Sequence, residues 1–301
     1  MKILVSGGTG VMGSRLVRGL AGAGYAIRIL TLPNDPFVSR LKGLDCEIVY
    51  GNISERDSLE GVFDGVDVVY HLAAIIIAHD PGLFQKINTE GTRNMVEGAI
   101  SAGVKHFIYI SSASVIYPRT TPYSVSKREC EKIVREQKKM HYTIIRPTLV
   151  YESNGGQEFM MFMDYLLKYP VVPFIGRGKS LKNPVDVDDL MKGMLAIPGN
   201  ERCYGKIYNF SGGEEISIWD LGKLMLKHKG REKIFIPVPV WLCKVMASVM
   251  KRFMKKPPLT WNVIAGITQD GNLDYSSAKH DIGYNPIGIH EGMKKYFPMD
   301  K

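Results

Sequence analysis

The sequence predicts an α/β fold, a doubly wound parallel sheet followed by a smaller, mixed C-terminal region. Three observations carry this. Short apolar runs alternate with stretches of helical spacing through the first half, a glycine-rich turn joins the first run to the first helical stretch, and the alternation loses its regularity after Tyr151. Strands separated by helical returns pair in parallel, with helices on both faces of the sheet.

Lys2–Ser6 (KILVS) reads as a buried strand, and Ser14–Ala23 as a helix with Leu16, Val17 and Leu20 on its apolar side. Strands follow at Ala26–Leu30, Glu47–Tyr50, Val66–Leu72, His106–Ser111 and Tyr142–Arg146. Between them, helical spacing recurs near Ser58–Phe63 and over Thr89–Ala102 and Tyr123–Lys139. Beyond Tyr151 come Gly155–Gly156, a Met/Phe-rich helix near Glu158–Lys168, a Gly- and Lys-containing loop at Pro173–Pro184, and a late strand at Lys206–Phe210. Residues 1–151, with a return segment over about 185–213, therefore read as one domain. Residues 152–184 and 214–301 read as a cap over it.

The chain has 301 residues, 45% hydrophobic and 23% charged, a globular composition long enough for a sizeable core. Its formal charge of +9 is local: ten Lys/Arg face the single acid Glu232 between Lys223 and Lys256, and elsewhere 29 basic residues balance 29 acidic ones. A general nucleic-acid surface is thereby disfavoured, and no recognised nucleic-acid module appears. Cys46, Cys130, Cys203 and Cys243 stand too far apart for a zinc site or a disulfide framework, so reduced thiols and no metal are expected. Gly7, Gly8 and Gly10 break the first apolar run before a signal-peptide core forms, and no run of membrane-spanning length occurs. A cytoplasmic protein is expected.

Gly7-Gly8-Thr9-Gly10-Val11-Met12-Gly13 lies between the first strand and the first helix. Glycines at 7, 10 and 13 suit a tight turn, close approach of a pyrophosphate to backbone, and close helix-to-strand packing. The helix N-terminus adds N–H groups and positive dipole, so a dinucleotide is the expected ligand of a Rossmann-type unit. Tyr123 and Lys127, four apart at the start of a helical stretch, share one face, where an ammonium can favour ionisation of a phenol whose ordinary pKa is about 10. Ser111, Ser112 and Ser114 place hydroxyls at the carboxyl end of a strand, where open α/β sheets bind ligands.

With these residues the chain resembles the extended, epimerase/dehydratase-like branch of the short-chain dehydrogenase/reductase superfamily over nearly its whole length. Gly7, Thr9, Gly10, Val11, Met12 and Gly13 match the cofactor loop, and Thr31 ends the second strand beside it. Asn52-Ile53 stands where the family has Asp and an apolar residue near the adenine. His71-Leu72-Ala73-Ala74 matches the segment lining the cofactor, and Asn88 matches the helix asparagine. Arg146-Pro147-Thr148-Leu149-Val150-Tyr151 is similar to the RPxxVYG strand, Pro184–Asp189 to the V-D-D segment, and Tyr208–Gly212 to the strand that returns to the sheet. Ser112, Tyr123 and Lys127 match the catalytic serine, tyrosine and lysine. The resemblance implies that Tyr123 exchanges a proton with a hydroxyl or carbonyl, Lys127 lowers its pKa and holds the nicotinamide ribose, and Ser112 hydrogen-bonds the reacting oxygen. It also implies a homodimer through the helices Thr89–Ala102 and Tyr123–Lys139.

Departures from the family pattern shape the rest of the expectation. The acid that would bind an NAD ribose is missing from the end of the second strand, where Thr31, Leu32 and Pro33 stand. Asp35 lies a little beyond, and Arg15 and Arg40 could meet a 2′-phosphate, so between NAD and NADP the balance tips to NADP. Ala113-Ser114 replaces the Asp-Glu pair of sugar dehydratases, which disfavours water elimination. An NAD(P)-dependent epimerase or dehydrogenase/reductase acting on a hydroxyl or ketone is expected, with a nucleotide sugar as the leading small-molecule substrate. A short connection from Ser112 to Tyr123 and the lack of an asparagine after Pro147 depart from the sugar-nucleotide enzymes, and Pro184-Val185 before Asp186 resembles hydroxysteroid and flavonol-type reductases and the atypical members. These features keep open a hydroxysteroid, flavonol or lipid-type ketone reductase and a non-catalytic cofactor-binding subunit or sensor. Leu242, Val245, Met246, Val249, Met250, Phe253 and Met254 form one apolar stripe flanked by Lys244, Lys251 and Arg252. The stripe is expected to pack over the substrate cleft, with peripheral contact at an anionic membrane as the less favoured alternative.

Overall fold

The computed structural model describes residues 1–152, 156–254 and 257–297; Gly155, Lys255 and Lys256 lie outside them. The first half runs β1 (Lys2–Ser6), α1 (Val11–Gly22), β2 (Ala26–Thr31), β3 (Glu47–Tyr50), β4 (Val68–His71), α2 (Gly91–Ser101), β5 (His106–Ile110), α3 (Pro122–Glu136) and β6 (His141–Pro147). Then come β7 (Val150–Tyr151), α4 (Gln157–Lys168), β8 (Val171–Ile175), β9 (Leu181–Lys182), β10 (Val185–Asp186), α5 (Val187–Leu195) and β11 (Lys206–Phe210). The chain continues through β12 (Ile216–Ser217), α6 (Ile218–His228), β13 (Ile234–Val238), α7 (Val240–Phe253), α8 (Trp261–Thr268), α9 (Ser276–Ile282) and α10 (Ile289–Tyr296).

Seven strands form one parallel sheet in the order β3-β2-β1-β4-β5-β6-β11, the Rossmann-type arrangement the alternation predicts. Ile3, Leu4 and Val5 of β1 are fully buried, as befits a strand covered on both faces. One face packs Leu16, Val17 and Leu20 of α1 with α5, and the other packs Met95, Val96 and Ala99 of α2 with α3. Strand order reverses between β1 and β4, which opens the ligand crevice at their carboxyl ends. Around β8 and β13, a third core joins α4, α6 and α10.

Local differences from the sequence reading have local causes. The helical stretch near Ser58–Phe63 is a single 3₁₀ turn, Arg56–Leu59, because Gly61 and Gly65 that follow adopt positive φ. Helix α2 is preceded by a π-helical stretch, Phe84–Glu90. Helix α3 begins with a capping box between Thr121 and Ser124 and with Pro122 in its first turn. It stops at Glu136, where the Gln137 side chain accepts hydrogen bonds from the Lys139 and Met140 N–H groups.

The larger correction concerns α7. Its buried side chains are Cys243 and Ala247, which pack with Ile264 of α8, and the expected stripe points mostly outward rather than over a cleft. Two small residues on the inner row let α7 lie close to its neighbour, and the bulky row is left outside. Among the described residues no helix is long and apolar enough to cross a membrane. All four cysteines are free.

Candidate active site

The glycine loop crosses the crevice where β1 and β4 diverge. Gly7 has φ of +74°, and a Cβ there would lie 2.8 Å from the Ala73 nitrogen, so loop and post-β4 segment touch through backbone. A Cβ on Gly13 would fall 2.1 Å from the Gly7 carbonyl oxygen, so only glycine lets α1 start so close to the loop. Gly10 meets little around it, and α1 has no side-chain cap at its N-terminus. The first N–H groups of α1, from Val11, Met12 and Gly13, are therefore free for an anion.

At the end of β2, Thr9 and Thr31 each donate a hydroxyl hydrogen bond of 2.6 Å to the Asp35 carboxylate. Burial alone would push this carboxyl up. The two hydroxyls, the Phe37 N–H and the Arg40 charge more than offset that and hold it below the usual range. The two arginines considered for a 2′-phosphate are engaged elsewhere. Arg15 pairs with Glu152 at 2.5 Å and with Asp188 at 3.4 Å, and Arg40 donates to the Thr9 carbonyl and lies over the Phe37 ring. Asn52 spends its side chain on a local turn, accepting from Ser54 and donating to Glu55, while Ile53 packs against Gly91. Leu72, Ala73 and Ala74 are half-buried along the crevice, and buried Pro147 ends β6.

Beyond β5 the Ser112 hydroxyl lies beside the Tyr123 phenol, and Lys127 follows one turn later in α3. Lys127 is 2% exposed, its Nζ donates 2.5 Å to the Ile110 carbonyl, and it sits 4.3 Å from the Tyr109 ring centre. Burial lowers its pKa to about 8, against the opposing pull of Cys130 and Glu131. Burial and then Glu158 raise the Tyr123 phenol, and the nearby Ser112 hydroxyl pulls the other way. The expected lowering by Lys127 is not what this geometry gives, because the ammonium is turned onto Ile110. The Ser112 hydroxyl oxygen accepts from the Ser114 backbone N–H, and the two hydroxyls bond each other. Glu131 accepts from Ser111 and takes a bidentate pair from Arg146, which fastens α3 to β5 and β6.

Asn88 acts through α3. Its amide bonds both the N–H and the carbonyl of Ile75, and donates to Ser126 beside Lys127, which locks the loop after β4 to that helix. His71, fully buried, bonds Ser6 and Thr92, and burial together with the Lys127 charge lowers its pKa to about 3.

Sequence reasoning missed three groups that belong to this cleft. Glu158, in the first turn of α4, is open to solvent yet walled in by protein. Burial raises its carboxyl, and its charge raises the phenols of Tyr123 and Tyr117. Tyr117 is pushed up to about 12, by burial first. Lys182, lowered to about 8 chiefly by burial, donates to the Gly266 and Gln269 carbonyls and faces the charges of Asp270 and Glu158. Gln269 also bonds the Arg119 backbone, so the segment after α8 closes on the loop after Ser112.

Residues 3–210, spanning the glycine loop, the Ser/Tyr/Lys group and β11, match the model of the NAD dependent epimerase/dehydratase family. The chain belongs to this family. Similarity extends to a UDP-glucose 4-epimerase of Vibrio cholerae, 26% identical over 97% of this chain and 93% of that protein. A ceramide reductase of Caulobacter vibrioides is 31% identical over 65% of this chain and 60% of that protein. A dTDP-glucose 4,6-dehydratase of Streptomyces venezuelae, solved with NAD bound, superposes with a TM-score of 0.79 at 21% identity, covering 99% and 96% of the two chains. That last likeness shows the fold.

Proposed function

We propose that this chain moves hydride between NAD and the carbon of a secondary alcohol or ketone. The observation that carries the reading is the Ser112 hydroxyl beside the half-buried Tyr123 phenol, with the anchored Lys127 one turn later in α3. Bound at the glycine loop, NAD supplies or accepts the hydride. Gly7, Gly10 and Gly13 let backbone approach its pyrophosphate, and the free N–H groups of α1 bind the phosphate charge. The Asp35 carboxylate supports NAD over NADP, against the balance of the sequence, because it accepts from a ribose hydroxyl and repels a 2′-phosphate.

Tyr123 gives its phenolic proton to a carbonyl oxygen in reduction, and takes it back from the alcohol in oxidation. Its raised pKa keeps it protonated at neutral pH, ready as an acid. Ser112 holds the reacting oxygen in place, and Lys127 offers its ammonium to the nicotinamide ribose. Water elimination is disfavoured, since buried Ala113 and half-buried Ser114 stand where a carboxyl pair is needed.

Two substrate classes compete. Whole-length similarity to a UDP-glucose 4-epimerase supports a nucleotide sugar. The cleft favours an uncharged, lipid-type ketone instead: Glu158 repels a diphosphate, and Lys182 is already bound to carbonyls. A panel of nucleotide sugars, sterols and long-chain ketones, followed by NADH absorbance and product analysis, tests both. Net NADH oxidation with an uncharged ketone is expected. Interconversion of nucleotide sugars without net cofactor change would replace this reading with epimerase activity, and inertness toward every NADH-linked ketone and sugar would favour a binding subunit.

A further inference from the structure

The outer face of α7 is an apolar row laid along cations. Trp241, Val245, Val249 and Phe253 recur at i, i+4, i+8 and i+12, and are 67%, 51%, 52% and 80% exposed. Met246 widens the row on one side, and exposed Met254 follows the end of the helix. On the other run Lys244, Ser248 and Arg252, and Trp261 of α8 joins them, its indole N–H donating to Ser248 at 3.3 Å and its ring 5.3 Å from the Lys244 ammonium. A packed cap helix would turn its bulky residues inward. Here the inward row is Cys243 and Ala247. An exposed apolar strip of this extent marks a contact surface.

Charge identifies the occupant. No Asp or Glu occurs between Glu232 and Asp270, whereas Lys233, Lys244, Lys251 and Arg252 fall within that span. A second copy docked through the same face would set cation against cation. A surface both negatively charged and able to receive indole, phenyl and thioether side chains satisfies both halves of the pattern. We propose that α7, with Trp261, docks this protein on the surface of an anionic lipid bilayer. Helix α7 lies in the plane of the interface, its row buried among the acyl chains and Lys244, Lys251 and Arg252 at the headgroups. The inference stands independently of the substrate reading.

Flotation of the full chain with vesicles of phosphatidylcholine alone, or of phosphatidylcholine with phosphatidylglycerol, tests it at low and high salt. The expected result is binding to the anionic vesicles at low salt, loss at high salt, and little binding to neutral ones. The double variant Trp241→Ser, Phe253→Ser is expected to partition at least tenfold less, and Lys251→Glu, Arg252→Glu to lose the preference for anionic lipid. Unchanged circular dichroism and NADH binding would show that the variants remain folded. No binding to anionic vesicles, or equal binding by wild type and the apolar variant, would overturn the proposal. So would a dimer in sedimentation that the apolar variant abolishes, which assigns the face to a second copy.

Discussion

Helix α1 turns Leu16, Val17 and Leu20 onto the sheet and buries them fully, whereas α7 turns Cys243 and Ala247 inward and leaves Trp241, Val245, Val249 and Phe253 outside. Both sequences carry an apolar row at helical spacing. What separates them is the surface beneath: α1 lies on the face of a seven-stranded sheet, and α7 on a small cluster of Ile264, Leu259, Ile175 and Val238, against which it sets Cys243 and Ala247. Periodicity decides which side chains share a face, and the partner decides where that face points. The same contrast runs through polar groups. Around the parallel sheet, His71, Asn88 and Glu131 each bond more than one partner, while Glu158 of α4 is open to solvent.

Substitutions of similar size in the two helices separate these cases most widely. Gly13→Val forces a side chain onto the Gly7 carbonyl, with an expected loss on the order of 3 kcal/mol in stability and of measurable NADH fluorescence enhancement. Acid exposes the buried polar network next. His71 stays neutral in the fold down to about 3, but in the unfolded chain it takes a proton near its ordinary 6.5, so its contribution is complete above pH 6.5 and lost as pH falls toward 3. Between about pH 7 and about pH 5 this amounts to roughly 2 kcal/mol. Urea unfolding at both pH values should show a smaller decline in His71→Asn than in the wild type, and an equal decline would refute the assignment. His106, lowered to about 4 mainly by burial, adds an effect of the same sign that this comparison cancels.

Asp35→Ala should weaken NADH binding about tenfold and leave NADPH binding unchanged or improved. In the cleft, Glu158→Gln removes a negative charge beside Tyr123, so the phenol should ionise at lower pH. The basic limb of the pH–rate profile is expected to move down by up to about one unit. An unmoved limb would mean that Glu158 does not act on Tyr123. The smallest effect belongs to α7: Val249→Ser should change the urea midpoint by less than about 0.5 kcal/mol, because that side chain is outside the core.

The glycine turn between β1 and α1, the parallel sheet around it and the placing of Tyr123 and Lys127 on one helix were legible because short-range spacing dictates them. Gly7 and Gly13 are forced by contacts within the loop and with Ala73. Arg15 misled because its partners, Glu152 and Asp188, arrive from distant parts of the chain. Asn88 was recognisable as a motif residue, but its bonds to Ile75 and Ser126 depend on how the post-β4 loop meets α3. Glu158 carried no signal in sequence, since its place beside Tyr123 follows from the docking of α4 over the crevice. For α7 the stripe was visible and its direction was not.

The central claim is that Tyr123 carries the proton while the glycine loop holds the cofactor independently of it. Tyr123→Phe measures this directly, by NADH titration and by turnover on whichever ketone or alcohol the wild type accepts. The account predicts NADH binding within about twofold of wild type and turnover lower by about 10²- to 10⁴-fold. Full turnover in Tyr123→Phe, or loss of NADH binding together with turnover, would contradict it.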